Sequence, residues 1–227
     1  MQLHHQQIQQ CLNGHMKVVA LIPVKRFESS KTRLELTKNQ KIVLTELMLK
    51  NTIVNLTKCK SISTIVTISA DERVREISNH YNIEYVYSNE KGVNYAIEVG
   101  DEYCKEKQVQ SNIIIPIDLI FINSYEIELL LSMARKYQNC SIIVPSMRMD
   151  GTNLLLRKPF NLYETSYDNN SYYEHIQSSK KNSERTIIIN SVNLSEDLDT
   201  LDDFKRIITQ PTNKLSHLIS RITNVIG

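Results

Sequence analysis

The sequence predicts a single three-layer α/β/α sandwich built on a mostly parallel central sheet. Three observations carry that expectation. Short β-branched runs alternate with helical patterns along most of the 227 residues, as repeated βα units require. The first run, Val18 to Val24, is apolar throughout, the pattern of a strand covered on both faces. The length suits one domain with a full core.

Residues 1–15 are rich in Gln and His rather than apolar and read as a disordered tail, so the domain is expected to span 16–210. After the first strand, Thr37 is placed to cap a helix over about 38–57, where Ile42, Leu44, Leu47, Met48, Ile53 and Leu56 recur at helical spacing. Ser63–Ser69 is the second strand, Asp71 caps a helix to Tyr81, and Ile83–Tyr87 is the third strand. Gly92 punctuates a loop before a helix over Val93–Lys107. Asn112–Ile117 is the fourth strand, and its apolar run stops at Asp118. A helix over Ser124–Tyr137, capped by Ser124, precedes strands Ser141–Val144 and Asn153–Arg157. Residues 158–183 are polar and Tyr-rich and read as a cap or lid insertion. A late strand Arg185–Asn190, a helix Thr200–Ile208 and a C-terminal helix within 211–227 complete the chain.

Bulk composition excludes several classes of function. Twenty-seven basic and 25 acidic residues leave a formal charge of only +2, which gives no global field for nucleic acid. No apolar run is long enough for a membrane span. The four cysteines, Cys11, Cys59, Cys104 and Cys140, form no CxxC pair, so free thiols and a cytoplasmic location are expected. Neither GxxxxGK[ST] nor GxGxxG occurs, which argues against P-loop kinases and Rossmann dehydrogenases.

The most informative stretch follows the first strand. Pro23 stiffens the strand exit, and Lys25, Arg26, Lys31 and Arg33 then bring four cations within nine residues. The crevice beyond the carboxyl ends of strands is where open α/β sheets bind ligands. Lysine and arginine there neutralise a polyphosphate, although the same run also reads as a solvated loop. Asp118 closes an apolar strand, an awkward place for a carboxylate unless it binds something. Magnesium bridging substrate phosphates needs only one or two protein carboxylates. Asp197 and Asp199 point the same way if their segment is extended, and one of them would complete a metal site with Asp118. The plainer reading is a helix cap at Asp199 or Thr200. Asp150-Gly151 reads as a hairpin turn, with Thr152 and Asn153 offering hydrogen bonds to a ligand. Gly92 and Asn94 precede or open a helix; Asn94 either meets a base or ribose or caps the helix. His175, alone in a Tyr-rich loop, reads as structural rather than as an acid or base.

These pieces, in this order, resemble the 2-phospho-L-lactate guanylyltransferase family of coenzyme F420 biosynthesis. The matching segments are IPVKRFESSKTRL at 22–34, KGVNYAI at 91–97, PIDL at 116–119, DGTNLLL at 150–156, NNSYYEH at 169–175 and EDLDTLDDF at 196–204. The wider superfamily includes sugar-nucleotide and molybdenum-cofactor nucleotidyltransferases, so the resemblance implies a nucleotide-diphospho-sugar-transferase-like fold. It also implies transfer of GMP from GTP to a small phosphorylated three-carbon acid: 2-phospho-L-lactate, phosphoenolpyruvate or 3-phosphoglycerate. On that pattern Pro23, Lys25, Lys31, Arg33, Gly92 and Asn94 serve the nucleotide. Asp118, with Asp197 or Asp199, holds Mg²⁺, and Thr152, Asn153 and Ser171 meet the acceptor. A homodimer is implied as well. Arg26 has no role in the pattern and is expected to be dispensable, while Asp168 puts a negative charge just before Ser171. Two other readings are a sugar-phosphate or molybdopterin nucleotidyltransferase and a non-catalytic nucleotide-binding module. The missing LxAGGxSxRxG opening counts against the first, and the retained cations and carboxylates against the second.

Overall fold

A computed structural model describes residues 16–209 and 216–226. Seven strands form one sheet: β1 (Val18–Pro23), β2 (Ile62–Ser69), β3 (Glu84–Tyr87), β4 (Ser111–Ile114), β5 (Cys140–Pro145), β6 (Thr152–Lys158) and β7 (Arg185–Ile188). Their order across the sheet is β3-β2-β1-β4-β6-β5-β7. β6 is antiparallel to β4 and β5, and the other pairings are parallel. The central strand is as dry as its sequence predicts. Val18, Val19, Ala20, Leu21 and Ile22 are each 0% exposed.

Seven described helices cover the two faces: α1 (Lys38–Leu56), α2 (Glu72–His80), α3 (Val93–Glu106), α4 (Ser124–Ala134), α5 (Ser171–Asn182), α6 (Leu201–Thr209) and α7 (Ser216–Ile226). Side chains alternate along each strand, so two cores form. Val18, Ala20 and Ile22 meet α1, α2, α4, α6 and α7, whereas Val19 and Leu21 meet α3 and α5. Gly100 lets α3 lie close to the sheet. A Cβ there would fall 2.7 Å from Ile68 Cδ1 and 2.9 Å from Leu21 Cδ1.

Local signals explain most of the boundaries. Thr37 caps α1 in a full capping box with Gln40, and Asp71 caps α2 by accepting from the Arg73 N–H. α4 differs from expectation: its cap is Asn123, which accepts from the Glu126 N–H, and not Ser124. The helix also ends at Ala134. The fourth strand stops at Ile114 rather than Ile117, since Pro116 has no N–H to give the ladder. The β5–β6 hairpin forms, but Asp150-Gly151 is not its left-handed corner. That conformation falls on Met149 (φ 61°), and Ser146 Oγ accepts from the Gly151 N–H while donating to Asp150.

The stretch 158–183, read as a cap, supplies α5, which lies on the sheet beside α3 with Tyr172 and Ile176 against the second core. Only its 163–170 portion reaches the cleft described below, through Tyr167. The buried face of α5 is Ser171, His175 and Ser179, and this polar stripe hid the helix from a hydrophobic-period reading. α7 packs on α1, where Gln40 Nε2 donates to the Val225 carbonyl. The expected tail 1–15 lies outside the described residues. No described helix is long and apolar enough to cross a membrane.

Candidate active site

The carboxyl ends of β1, β2 and β4 open into two adjoining cavities. The first, ≈ 370 Å³, is lined by Pro23, Val24, Ile68, Ala70, Val93 and Ala96, with Ser69, Ser88, Asn89, Glu90, Gly92 and Lys25 adding polar groups. The second, ≈ 490 Å³, holds Lys31, Arg33, Asp118, Thr152, Asn153, Tyr167, Asp197 and Asp199. Pro23, Val24, Lys25, Ser29 and Val93 border both, so the two form one continuous cleft.

The basic segment after β1 is a folded structure rather than a loose loop. It makes two 3₁₀ turns, Phe27–Ser29 and Thr32–Leu34. Phe27 and Leu34 are buried in the core, and the Phe27 N–H donates to Asp71 Oδ2 at 2.9 Å. Ser30 bonds the Phe27 carbonyl and the Thr45 hydroxyl of α1. Lys31 sits between the turns in the left-handed region (φ 51°), which turns its side chain into the cleft while Lys25 and Arg33 stay exposed.

That conformation gives the three cations different surroundings. Lys31 Nζ donates to Asp118 Oδ2 at 2.9 Å and to Asp199 Oδ1 at 2.6 Å. Its side chain is only 6% exposed. Burial works against its charge, but the carboxylates of Asp118 and Asp199 outweigh burial and hold Lys31 above the ordinary lysine value. Burial likewise favours a neutral Asp199, yet Lys31 keeps it below the ordinary carboxylate value. Lys25 and Arg33 stand within ion-pair distance of no carboxylate among the described residues, so they remain available to an anion.

The third carboxylate has no such partner. Burial, and then the charges of Asp118, Asp199 and Asp203, push Asp197 up to about 7. Its position is set from both sides. Leu198, fully buried, donates its N–H to the Asp118 carbonyl, and the alternation turns Asp197 and Asp199 into the cleft. The cap of α6 falls to Thr200, whose hydroxyl accepts from the Asp203 N–H while Asp203 Oδ2 accepts from Asp199 and Thr200. Arg206 then joins Glu196 to Asp203. Asp199 is therefore free of capping duty. Among the described residues no three acidic, His or Cys side chains converge as a metal cage by themselves. Asp118 and Asp197, a hard-oxygen pair, suit an ion that takes its remaining ligands from phosphates and water.

The far wall is built on β6. Thr152 is held from two directions. Its N–H donates to Ser171 Oγ at 2.9 Å, and its hydroxyl lies 2.9 Å from His175 Nδ1. Ser171 is thus occupied with the backbone of Thr152 and does not line the cleft. Asn153 lines it but donates to the Leu194 carbonyl, fixing the segment that leads to Asp197. Asn94 is not a cap, since Gly92 (φ 104°) takes that position of α3. Its side chain instead accepts from the Tyr167 N–H and donates to Asp168, which anchors the 163–170 segment and occupies the Asp168 charge.

Four residues that the sequence reading gave no part also shape the cleft. Tyr167 and Val93 form wall, and Glu90 lines the first cavity. Arg26, expected to be idle, binds Glu90 through both its backbone N–H and Nε at 3.1 Å. The available signal was positional: residues 88–92 follow the end of β3 just as 24–33 follow β1.

Comparison with known proteins places the fold and the family. The solved structure of a protein assigned as a nucleotide-diphospho-sugar transferase from Desulfovibrio desulfuricans superposes with a TM-score of 0.73 at 13% identity, over 92% of this chain and 96% of that one. The fold is of that type. The 2-phospho-L-lactate guanylyltransferase of Methanocaldococcus jannaschii is 34% identical over 199 residues, covering 86% of this chain and 84% of its own. The protein of the same name from Methanobrevibacter smithii is 29% identical, covering 86% of each chain. The model of the family described as "Guanylyl transferase CofC like" matches residues 16–221, nearly all of the domain, and the chain belongs to that family.

Proposed function

We propose that the chain transfers GMP from GTP to 2-phospho-L-lactate, or to phosphoenolpyruvate or 3-phosphoglycerate, with release of pyrophosphate, in the synthesis of coenzyme F420. One observation carries the chemistry: Lys31 is locked between Asp118 and Asp199 in a cleft that also carries Lys25 and Arg33, cations with no ion pair among the described residues. Nucleotidyl transfer needs positioning and charge neutralisation and little covalent work from the protein. Lys25 and Arg33 would draw the triphosphate across the mouth. Lys31 fixes the carboxylates and keeps positive charge beneath the reacting phosphates.

Asp118 and Asp197 would hold Mg²⁺. The ion, when bound, supplies charge neutralisation for the phosphates. Thr152, facing this pair, would donate its hydroxyl to the incoming acid. The acceptor phosphate is already an anion, so no general base is required, and His175, 0% exposed, is not needed as one. The experiment is a pyrophosphate-release assay on the full chain with Mg²⁺, each nucleoside triphosphate and each of the three acids. GTP with one acid should release pyrophosphate. No release with any pair would overturn the proposal.

A further inference from the structure

We infer that Glu90 is the residue that reads the guanine base, and that Arg26 holds it in place to do so. The inference rests on the proposed use of GTP and names the group that selects it. If the triphosphate lies along Lys25, Lys31 and Arg33, the nucleoside must occupy the adjoining cavity, because Lys25, Ser29 and Val93 border both. That cavity suits a flat heterocycle. Its walls are the apolar ends of β1 and β2 and the first turns of α3, and ≈ 370 Å³ is room for a nucleoside and little more.

Apolar walls bind any base equally. Discrimination needs a polar group at the base edge, and the lining offers a short choice. Among the described residues Glu90 is the only acidic side chain on it and Lys25, which would serve the phosphates, the only basic one. Guanine presents two donors side by side, N1–H and the 2-amino group. A carboxylate accepts both in parallel, whereas adenine and cytosine present an acceptor at the matching ring nitrogen and meet it with repulsion.

Glu90 is held ready for that task. Oε1 accepts from the Arg26 N–H and Oε2 from Arg26 Nε, both at 3.1 Å. Ser29 Oγ adds a longer contact at 3.4 Å. Two carboxylate oxygens offer about four acceptor positions; three are used here, and release of the long Ser29 contact leaves one on each oxygen for a base edge. The pair is half exposed, at 52% and 42%, so it adds little stability. Its geometric effect is larger: it fixes a carboxylate of the β3–α3 loop, on the cavity lining, against the basic segment 64 residues away in sequence.

The test is equilibrium binding of GTP, ITP, ATP and 2′-deoxy-GTP to the full chain and to Glu90→Gln and Glu90→Asp, with pyrophosphate release measured alongside. ITP lacks only the 2-amino group. The unmodified protein should prefer GTP to ITP by about tenfold to a hundredfold, the range for a hydrogen bond to a charged group. Glu90→Gln should bring the two within about threefold and weaken GTP binding, and Glu90→Asp should keep a reduced preference. A GTP-over-ITP preference unchanged in Glu90→Gln overturns the inference. So does a variant that loses only its preference for GTP over 2′-deoxy-GTP, which would put Glu90 on the ribose. Either result with pyrophosphate still released leaves the transferase proposal standing. Selective GTP binding with no release in the unmodified protein supports Glu90 while overturning the reaction.

Discussion

His175 Nδ1 lies 2.9 Å from the hydroxyl oxygen of Thr152, and the other ring nitrogen decides what that contact is. Nε2 accepts the backbone N–H of Ser166 at 3.0 Å, so it carries no proton. In the neutral ring the hydrogen is therefore on Nδ1, which donates to Thr152. With a lone pair of its oxygen taken, Thr152 keeps its own hydrogen to donate, and on the proposed function the incoming acid would accept it. His175 is a positioning residue here, and the donor it frees belongs to a residue that lines the same cavity as Asp118 and Asp197.

Removing that donor should therefore weaken the acid and not the nucleotide. Thr152→Val is expected to raise the KM for the phosphorylated acid by about tenfold or more, as for a lost hydrogen bond to an anion, with the GTP KM nearly unchanged. Thr152→Ser should retain most activity. Steady-state kinetics with each substrate varied in turn checks this. An equal rise in both KM values would mean that Thr152 acts on the cleft as a whole.

The same histidine makes stability depend on pH. Burial, reinforced by Arg157, lowers His175 from 6.5 to about 4. The unfolded chain takes up a proton near pH 6.5 that the folded chain refuses until about pH 4, so acid favours unfolding. This contribution is fully present above pH 6.5 and is lost as pH falls towards 4, to a limit on the order of 3 kcal/mol. Urea titrations at pH 7.5 and 4.5 read it directly. His175→Gln should flatten the difference between the two conditions, and an undiminished difference would place the acid sensitivity elsewhere.

Where the chain's local chemistry decides, the sequence was readable. The Thr37–Gln40 box, the Asp71 cap and the all-apolar β1 each follow from residues a few positions apart. Asp197 and Asp199 share a direction because an extended segment alternates. What escaped were partnerships set by topology. Lys31 meets carboxylates 87 and 168 residues away, and Arg26 meets Glu90 across 64. No local pattern marks Lys31 as recessed and Lys25 as free, since that difference comes from one left-handed residue. α5 was missed for another reason: its buried stripe of Ser171, His175 and Ser179 makes specific polar contacts where a pattern search expects leucines.

The two late aspartates should separate in a metal titration. Asp197→Asn removes a proposed metal ligand and is expected to raise the Mg²⁺ concentration for half-maximal activity by about tenfold or more. Asp199→Asn removes instead one of the two anchors of Lys31. It should lower kcat, with a smaller change in Mg²⁺ requirement. The measurement is initial rate against Mg²⁺ concentration at saturating GTP. If the two variants exchange these behaviours, Asp199 is the metal ligand and Lys31 must move when the ion binds.

Beneath the cleft, Arg157 and Asp101 tie α3 to β6, and their energetics differ from those of the surface pairs. Arg157 is fully buried; its NH2 group donates to both Asp101 oxygens at 2.6 and 2.9 Å, and NH1 donates to the Tyr163 carbonyl. Asn112 Nδ2 adds a bond to the same carboxylate at 2.8 Å. Even so, burial leaves Asp101 above the ordinary carboxylate value, with Arg157 only partly offsetting the lost hydration. At Asp101 the desolvation cost therefore outweighs the attraction. Breaking the pair is another matter. Arg157→Met leaves a largely buried carboxylate with Asn112 as its remaining hydrogen-bond partner and should cost about 3–5 kcal/mol. The double variant Asp101→Leu, Arg157→Met removes both charges and should recover much of that loss. Denaturant midpoints of the two singles and the double close the cycle. If the double is as unstable as the sum of the singles, the two side chains are not coupled, and the pair does not hold α3, and with it the Gly92 end of the cleft, in register with the sheet.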